Sequence, residues 1–126
     1  MPAPKLLLIE DDPFLQTLLI EVFGGAGYHV ATAMPDDCLA QARQFHPEIV
    51  VVACDGRGSF EPGWQVAEML HPEFASTPFV MLSTNSKVID EVTYGSSRGS
   101  LFDAALCKPF SLVELLQIVE TCREGL

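Results

Sequence analysis

Lys5-Leu6-Leu7-Leu8-Ile9-Glu10-Asp11-Asp12-Pro13 is the stretch that decides the fold. Leu6 to Ile9 is a short, unbroken apolar run. A strand with one wet face would alternate, so this run reads as a strand buried on both faces, as in parallel sheets. Three acids stop it at once. Asp12-Pro13 reads as an N-cap followed by proline at the first helical position, where the missing N–H has no helical partner to lose. Leu15, Leu18, Leu19, Val22 and Phe23 follow at helical spacing, and Gly24-Gly25 is the stop signal of this amphipathic helix.

The same grammar repeats outward from that unit. Tyr28 to Ala33 reads as a second strand and Pro35 to Phe45 as a helix, broken by His46-Pro47. Ile49 to Ala53 is a third strand, rich in β-branched residues and therefore buried. A glycine-rich loop runs from Asp55 to Gly63, then a short helix from Trp64 to Leu70. Phe79 to Leu82 is a fourth strand. Val88 to Tyr94 allows one or two helical turns, but Gly95 to Ser100 is loop-like. Ala104 to Cys107 is a fifth strand. Ser111 caps a last helix, with Glu114 in capping-box position and Leu112, Leu115, Leu116, Val119 and Cys122 on its inner face. Strands alternating with helices argue for an α/β fold, an open parallel sheet with helices on both faces.

Bulk properties bound the function. At 126 residues the chain fits one domain, spanning 1–126. Hydrophobic residues make up 48% and charged residues 19%, which argues against disorder. Acids outnumber bases 17 to 7, a formal charge of −10, which disfavours nucleic acid and anionic membrane as partners. Cys38, Cys54, Cys107 and Cys122 lack metal-ligand spacing and sit in apolar runs, so they read as small core residues in a reducing compartment. With no signal peptide or membrane span in view, the expected address is cytoplasmic.

In an open parallel sheet, ligands bind outside the carboxyl ends of the strands. Those ends carry Glu10, Asp11 and Asp12, then Cys54 and Asp55, then Ser83 and Thr84, then Lys108. Carboxylates of this kind suit Mg²⁺, a carboxylate can attack phosphorus, and a lysine and a hydroxyl can stabilise the transferring charge.

Together, Leu6-Leu7-Leu8-Ile9-Glu10-Asp11-Asp12-Pro13, Pro47-Glu48, Pro78-Phe79-Val80-Met81-Leu82-Ser83 and Lys108-Pro109-Phe110 make the chain resemble the receiver domain of two-component response regulators. The resemblance covers nearly the whole sequence. It implies a flavodoxin-like, doubly wound sheet of five parallel strands in the order 2-1-3-4-5. It also implies phosphoryl transfer from a kinase histidine to an aspartate after strand three, in a signalling domain rather than an enzyme in the ordinary sense. Glu10 and Asp11 then resemble the acids that hold Mg²⁺, with Asp55 as third ligand and candidate phosphoacceptor. Ser83 resembles the hydroxyl that senses the phosphoryl group, and Lys108 the lysine that contacts it. The implied partners are a sensor histidine kinase or phosphotransfer protein, an output domain or other protein on the helix 4–strand 5–helix 5 face, or a second copy.

The acceptor departs from the family pattern. Counting six residues from Pro47 lands on Ala53, whereas counting eight back from Gly63 lands on Asp55. Two extra residues therefore lie between these anchors. A central strand has its register fixed by two neighbours, while a loop absorbs extra residues cheaply. That favours an insertion after Ala53 and a pseudo-receiver acting without phosphorylation. Against it, Asp55 is the only acid near the strand end, and residues 53 and 55 share a face of an extended chain. Both alternatives stand. Ala105 also replaces the aromatic usual three residues before the lysine, and the span from Ser83 to Lys108 is longer than usual. An unrelated flavodoxin-like enzyme or cofactor binder is disfavoured, because acids rather than a glycine-rich phosphate loop follow strand one.

Overall fold

Four consecutive β-branched residues make the strand at the centre of the molecule: Ile49–Val52 is fully buried, and its side chains alternate between two separate cores. The computed structural model describes residues 2–54 and 58–125. Among these, the strands are β1 (Lys5–Ile9), β2 (His29–Ala33), β3 (Ile49–Val52), β4 (Phe79–Ser83) and β5 (Ala104–Cys107). The helices are α1 (Pro13–Gly25), α2 (Cys38–Phe45), α3 (Glu61–Leu70), α4 (Ser86–Thr93) and α5 (Leu112–Arg123), with a 3-10 turn at Gly99–Leu101. The sheet is parallel throughout, in the order β2-β1-β3-β4-β5, as expected.

Alternation assigns the faces. Leu6, Leu8, Val51 and Ala53 pack with Leu19 and Phe23 of α1 and Leu115 and Val119 of α5. Leu7, Ile9, Val50 and Val52 pack on the other side, with Cys38 and Ala42 of α2, Trp64 and Leu70 of α3, and Val88 of α4. Trp64 is a packing residue, edge-on to Phe60 and Phe102 with ring centroids 5.6 Å away in each case.

Several boundaries differ from the sequence expectation for local reasons. The Asp37 carboxylate accepts the Met34 N–H at 2.8 Å, closing a turn that delays α2 to Cys38 rather than Pro35. Conversely, Pro62 lies in the first turn of α3 and lets that helix begin at Glu61 rather than Trp64. Asn85 accepts the Lys87 N–H at 2.9 Å, so α4 starts at Ser86, ahead of Val88. Gly24 and Gly25 belong to α1 instead of following it. Strand β3 ends at Val52, and Ala53 continues it only by one backbone hydrogen bond.

Burial brings further corrections. Leu18 and Leu112, expected to face inward, are exposed, since each helix buries a narrower stripe, Leu19 and Phe23 in α1 and Leu115 and Val119 in α5. Cys107 is exposed at the end of the edge strand β5, where one side lacks a neighbour, whereas Cys38 and Cys54 are buried as expected. Ser111 accepts the Glu114 N–H at 3.0 Å, which supplies the capping interaction of α5.

Candidate functional site

The turn out of β1 positions the acids. Asp12 caps α1 through its Oδ1, which accepts the Phe14 N–H at 2.9 Å, and it is exposed. Glu10 is held the other way. It is only 1% exposed, its Oε2 accepts the Asp12 N–H at 3.2 Å, and its carbonyl accepts the Gln16 amide at 3.4 Å. The three acids therefore do different work: one caps the start of a helix, and the other two stay at the edge of the sheet.

Lys108 meets Glu10 across that edge. The two strands that carry them are not neighbours; β3 and β4 lie between them, and β4 runs two residues past the Val52–Met81 pair at which β3 ends. Lys108 Nζ lies 3.8 Å from Glu10 Oε1, with the lysine side chain 15% exposed and the glutamate side chain fully covered. The lysine is located by its own backbone, whose N–H donates to the Ser83 carbonyl at 2.8 Å. The Lys108–Pro109 peptide is cis.

Ser83, at the end of β4, is fully buried, and its Oγ accepts the Asn85 N–H at 3.1 Å. Asn85 in turn caps α4. Ser83 is thus joined by a single turn to the helix that follows it. Gln16 and Asn85 are supporting residues that the sequence reading passes over. Asn85 has a readable signal, a helix-capping residue type just before Ser86 and Lys87.

Burial dominates the electrostatics. It raises the Glu10 carboxyl to about 7, against the pull of Lys108 and of the Asp12 N–H, and the neighbouring Asp11 adds to the rise. Burial, with Asp11 and Glu10 nearby, also pushes the Cys54 thiol far up, so Cys54 stays a neutral core residue. Its Sγ lies 3.3 Å from the Ile9 carbonyl.

Glu10 Oε1 and Asp11 Oδ1 are buried with no hydrogen-bond partner among the described residues. Orphaned buried oxygens at one edge match the hard-oxygen preference of Mg²⁺, which needs only one or two carboxylates beside water and phosphate oxygens. Among the described residues there is no cluster of three or more His, Cys, Asp or Glu side chains that could hold a metal. Asp55, the expected third carboxylate and acceptor, lies outside the described residues. Ala53 is described. Its N–H donates to the Ile9 carbonyl at 2.9 Å, and it is fully buried.

No protein-family model matches the chain. The chain is 29% identical over 120 residues to the transcriptional regulatory protein BaeR of Escherichia coli, covering 94% of this chain and 48% of BaeR. It is 25% identical over 125 residues to the nitrogen assimilation regulatory protein NtrX of Azorhizobium caulinodans, covering 98% of this chain and 27% of NtrX. The chain thus spans about half the length of the first relative and about a quarter of the second. Among solved structures, a Chloroflexus aurantiacus protein assigned as a response regulator superposes with a TM-score of 0.80 at 25% identity, over 98% of this chain and 99% of that one. The response regulator TrrA of Thermotoga maritima, solved in complex with Mg²⁺-BeF, gives 0.80 at 20% identity over 94% and 98% of the two chains. The chain has the five-stranded parallel fold of receiver domains, and in sequence it is similar to regulatory proteins of the response-regulator kind.

Proposed function

We propose that the edge formed by Glu10, Asp11, Ser83 and Lys108 is a phosphoryl-transfer site in which Asp55 takes a phosphoryl group from a histidine kinase or phosphotransfer protein. The observation that carries this is a pair of buried oxygens, Glu10 Oε1 and Asp11 Oδ1, that accept no hydrogen bond among the described residues, with Lys108 Nζ 3.8 Å from the first. Two acids buried side by side are costly, a cost that Lys108 offsets in part and a bound metal cation would offset further. Glu10 and Asp11 would hold Mg²⁺ together with Asp55, and the ion when bound would neutralise charge on the transferring group. An Asp55 carboxylate oxygen would form the new P–O bond as the donor's P–N bond breaks, giving an acyl phosphate and releasing the imidazole. Lys108 would face the phosphoryl oxygens. Ser83 would meet them with its hydroxyl, and its link to Asn85 offers a path to α4.

A second reading has its own observation. Ala53 continues the β3 ladder and stands where the family pattern places the acceptor. On that reading the domain is a pseudo-receiver that binds a partner through α4, β5 and α5 without phosphorylation. Incubation with acetyl phosphate and Mg²⁺, followed by intact mass, separates the two. The expected result is the gain of one phosphoryl group in the native chain and none in Asp55→Ala. No gain, or a gain that survives Asp55→Ala, would overturn the phosphoacceptor assignment.

Residues 1–126 would form one such module, acting in the cytoplasm and joined to an output domain or to a second copy. Consistent with this, no described helix is long and apolar enough to cross a membrane, and the net charge of −10 opposes binding to a phosphate backbone.

A further inference from the structure

Gly95 to Ser100 reads in the sequence as surplus loop, yet the structure wedges it between two helices. On one side it is fixed to α4. Gly95 has φ 76°, and the Ser96 N–H returns to the Glu91 carbonyl at 3.0 Å, ending the helix. Gly99 is buried against the same turn. A Cβ there would lie 1.8 Å from the Glu91 carbonyl oxygen and 2.9 Å from Val92 Cα.

On the other side the segment grips α3. Arg98 Nη2 donates to both Glu61 carboxylate oxygens, at 2.8 and 2.9 Å, and its Nε is 3.7 Å from Glu68 Oε1. The guanidinium carbon lies 4.9 Å from the Trp64 ring centroid. Phe102, 5% exposed, meets Phe60 edge-on with ring centroids 6.0 Å apart. Phe60 and Glu61 begin α3, a few residues after Asp55.

We propose that residues 95–102 are a strut that couples the start of α3 to the last turn of α4, giving the Asp55 loop a route to α4 that bypasses Ala105 of β5. A shift of Glu61 or Phe60 carries Arg98 and Phe102 with it. Gly99 cannot follow without moving the Glu91 carbonyl, because no side chain lies between the two backbones. As a signalling route the strut rests on the phosphoryl reading above, whereas its mechanical coupling is tested without any phosphodonor.

Hydrogen exchange of the full chain is the test, comparing the native protein with Glu61→Gln and with Glu73→Gln. The last variant breaks the exposed Arg43–Glu73 pair elsewhere on the surface. Loss of the Arg98 ion pair and of the geometry that holds its guanidinium over Trp64 is expected to raise exchange at Asp90 to Tyr94 about fivefold in Glu61→Gln. Glu73→Gln leaves those amides unchanged. A rise confined to α3, or a rise that extends to β1, overturns the strut. Trp64 is the sole tryptophan in the sequence, so its emission reports on the same joint. With acetyl phosphate and Mg²⁺, the native chain is expected to gain one phosphoryl group and shift its emission. Glu61→Gln is expected to gain the same mass with a smaller shift. Mass gain with unchanged emission in the native chain overturns the strut as a signal route. Absence of mass gain overturns the phosphoryl reading instead and leaves the exchange result to decide the coupling.

Discussion

Ala53 donates its backbone N–H to the Ile9 carbonyl at 2.9 Å, one step beyond the last register pair of their strands, Ile9 and Val52. From Leu6 and Ile49 to that pair the register skips no residue. Ala53, fully buried, is the residue that follows β3 in that register.

Ala53→Asp tests this alignment. In the metal-free protein a third acid beside Glu10 and Asp11 is expected to lower unfolding free energy by about 1–3 kcal/mol, with Mg²⁺ restoring the loss. Denaturant unfolding with and without Mg²⁺ measures it. The double variant Ala53→Asp, Asp55→Ala is expected to gain one phosphoryl group from acetyl phosphate by intact mass. A double variant that binds Mg²⁺ and stays unlabelled would show that position 53 does not face the transfer site.

Glu10→Gln separates metal binding from stability, because the two should move in opposite directions. Burial already disfavours the Glu10 carboxylate, raising its carboxyl to about 7. Removing the charge is expected to leave the metal-free domain as stable or more stable, by about 1–2 kcal/mol. Mg²⁺ affinity is expected to fall tenfold or more, about 1.4 kcal/mol. Calorimetric Mg²⁺ titration and metal-free urea unfolding of the same variant check the pair. Unchanged Mg²⁺ affinity would remove Glu10 from the ligand set.

Strand order, both helix layers and the meeting of Glu10 with Lys108 are legible because buried parallel strands give unbroken apolar runs whose ends must share one edge. Cys107 escapes such a reading because an apolar run does not say whether its strand lies at the edge of the sheet. Gly95 to Ser100 escapes it for a different reason. Its order comes from Arg98 reaching Glu61 and from Gly99 lying on Glu91, and contacts between distant or backbone groups leave no periodicity to read. The Ala53–Asp55 ambiguity is real in the sequence, since two anchors count to different residues. Phosphoryl labelling of the native chain and of Asp55→Ala is the measurement that separates the two counts.

Two glycines are expected to respond oppositely to alanine. Gly24 lies inside α1, and a Cβ added there would meet nothing within 4 Å. Gly24→Ala is therefore expected to stabilise the domain by about 0.5–1 kcal/mol through helix propensity. At Gly99 the same methyl would press on the Glu91 carbonyl, and Gly99→Ala is expected to cost about 1–3 kcal/mol. Thermal or urea unfolding of both variants checks the contrast. A neutral Gly99→Ala would mean that α4 yields to the segment.

Tyr28 gives the fold an alkaline limit. It is 9% exposed, and its hydroxyl donates to Glu120 Oε2, while Arg123 pairs with the same carboxylate. Burial first, then the Glu120 charge, pushes the phenol up to about 12 from 10.0. Because the folded state holds this proton more tightly, the contribution is complete below pH 10 and is lost as pH rises towards 12. It amounts to at most about 2–3 kcal/mol. Glu120 works the other way. Arg123 first, then Tyr28, holds it down near 2, so its contribution is present at neutral pH and fades as pH falls from 4.5 towards 2. That side chain is well exposed, so the acid effect is small. Tyr28→Phe is accordingly expected to cost about 1–2 kcal/mol at pH 8 and to show a shallower loss of urea stability than the native chain between pH 10 and 12. Parallel slopes in that window would mean that the phenol does not hold its proton through Glu120.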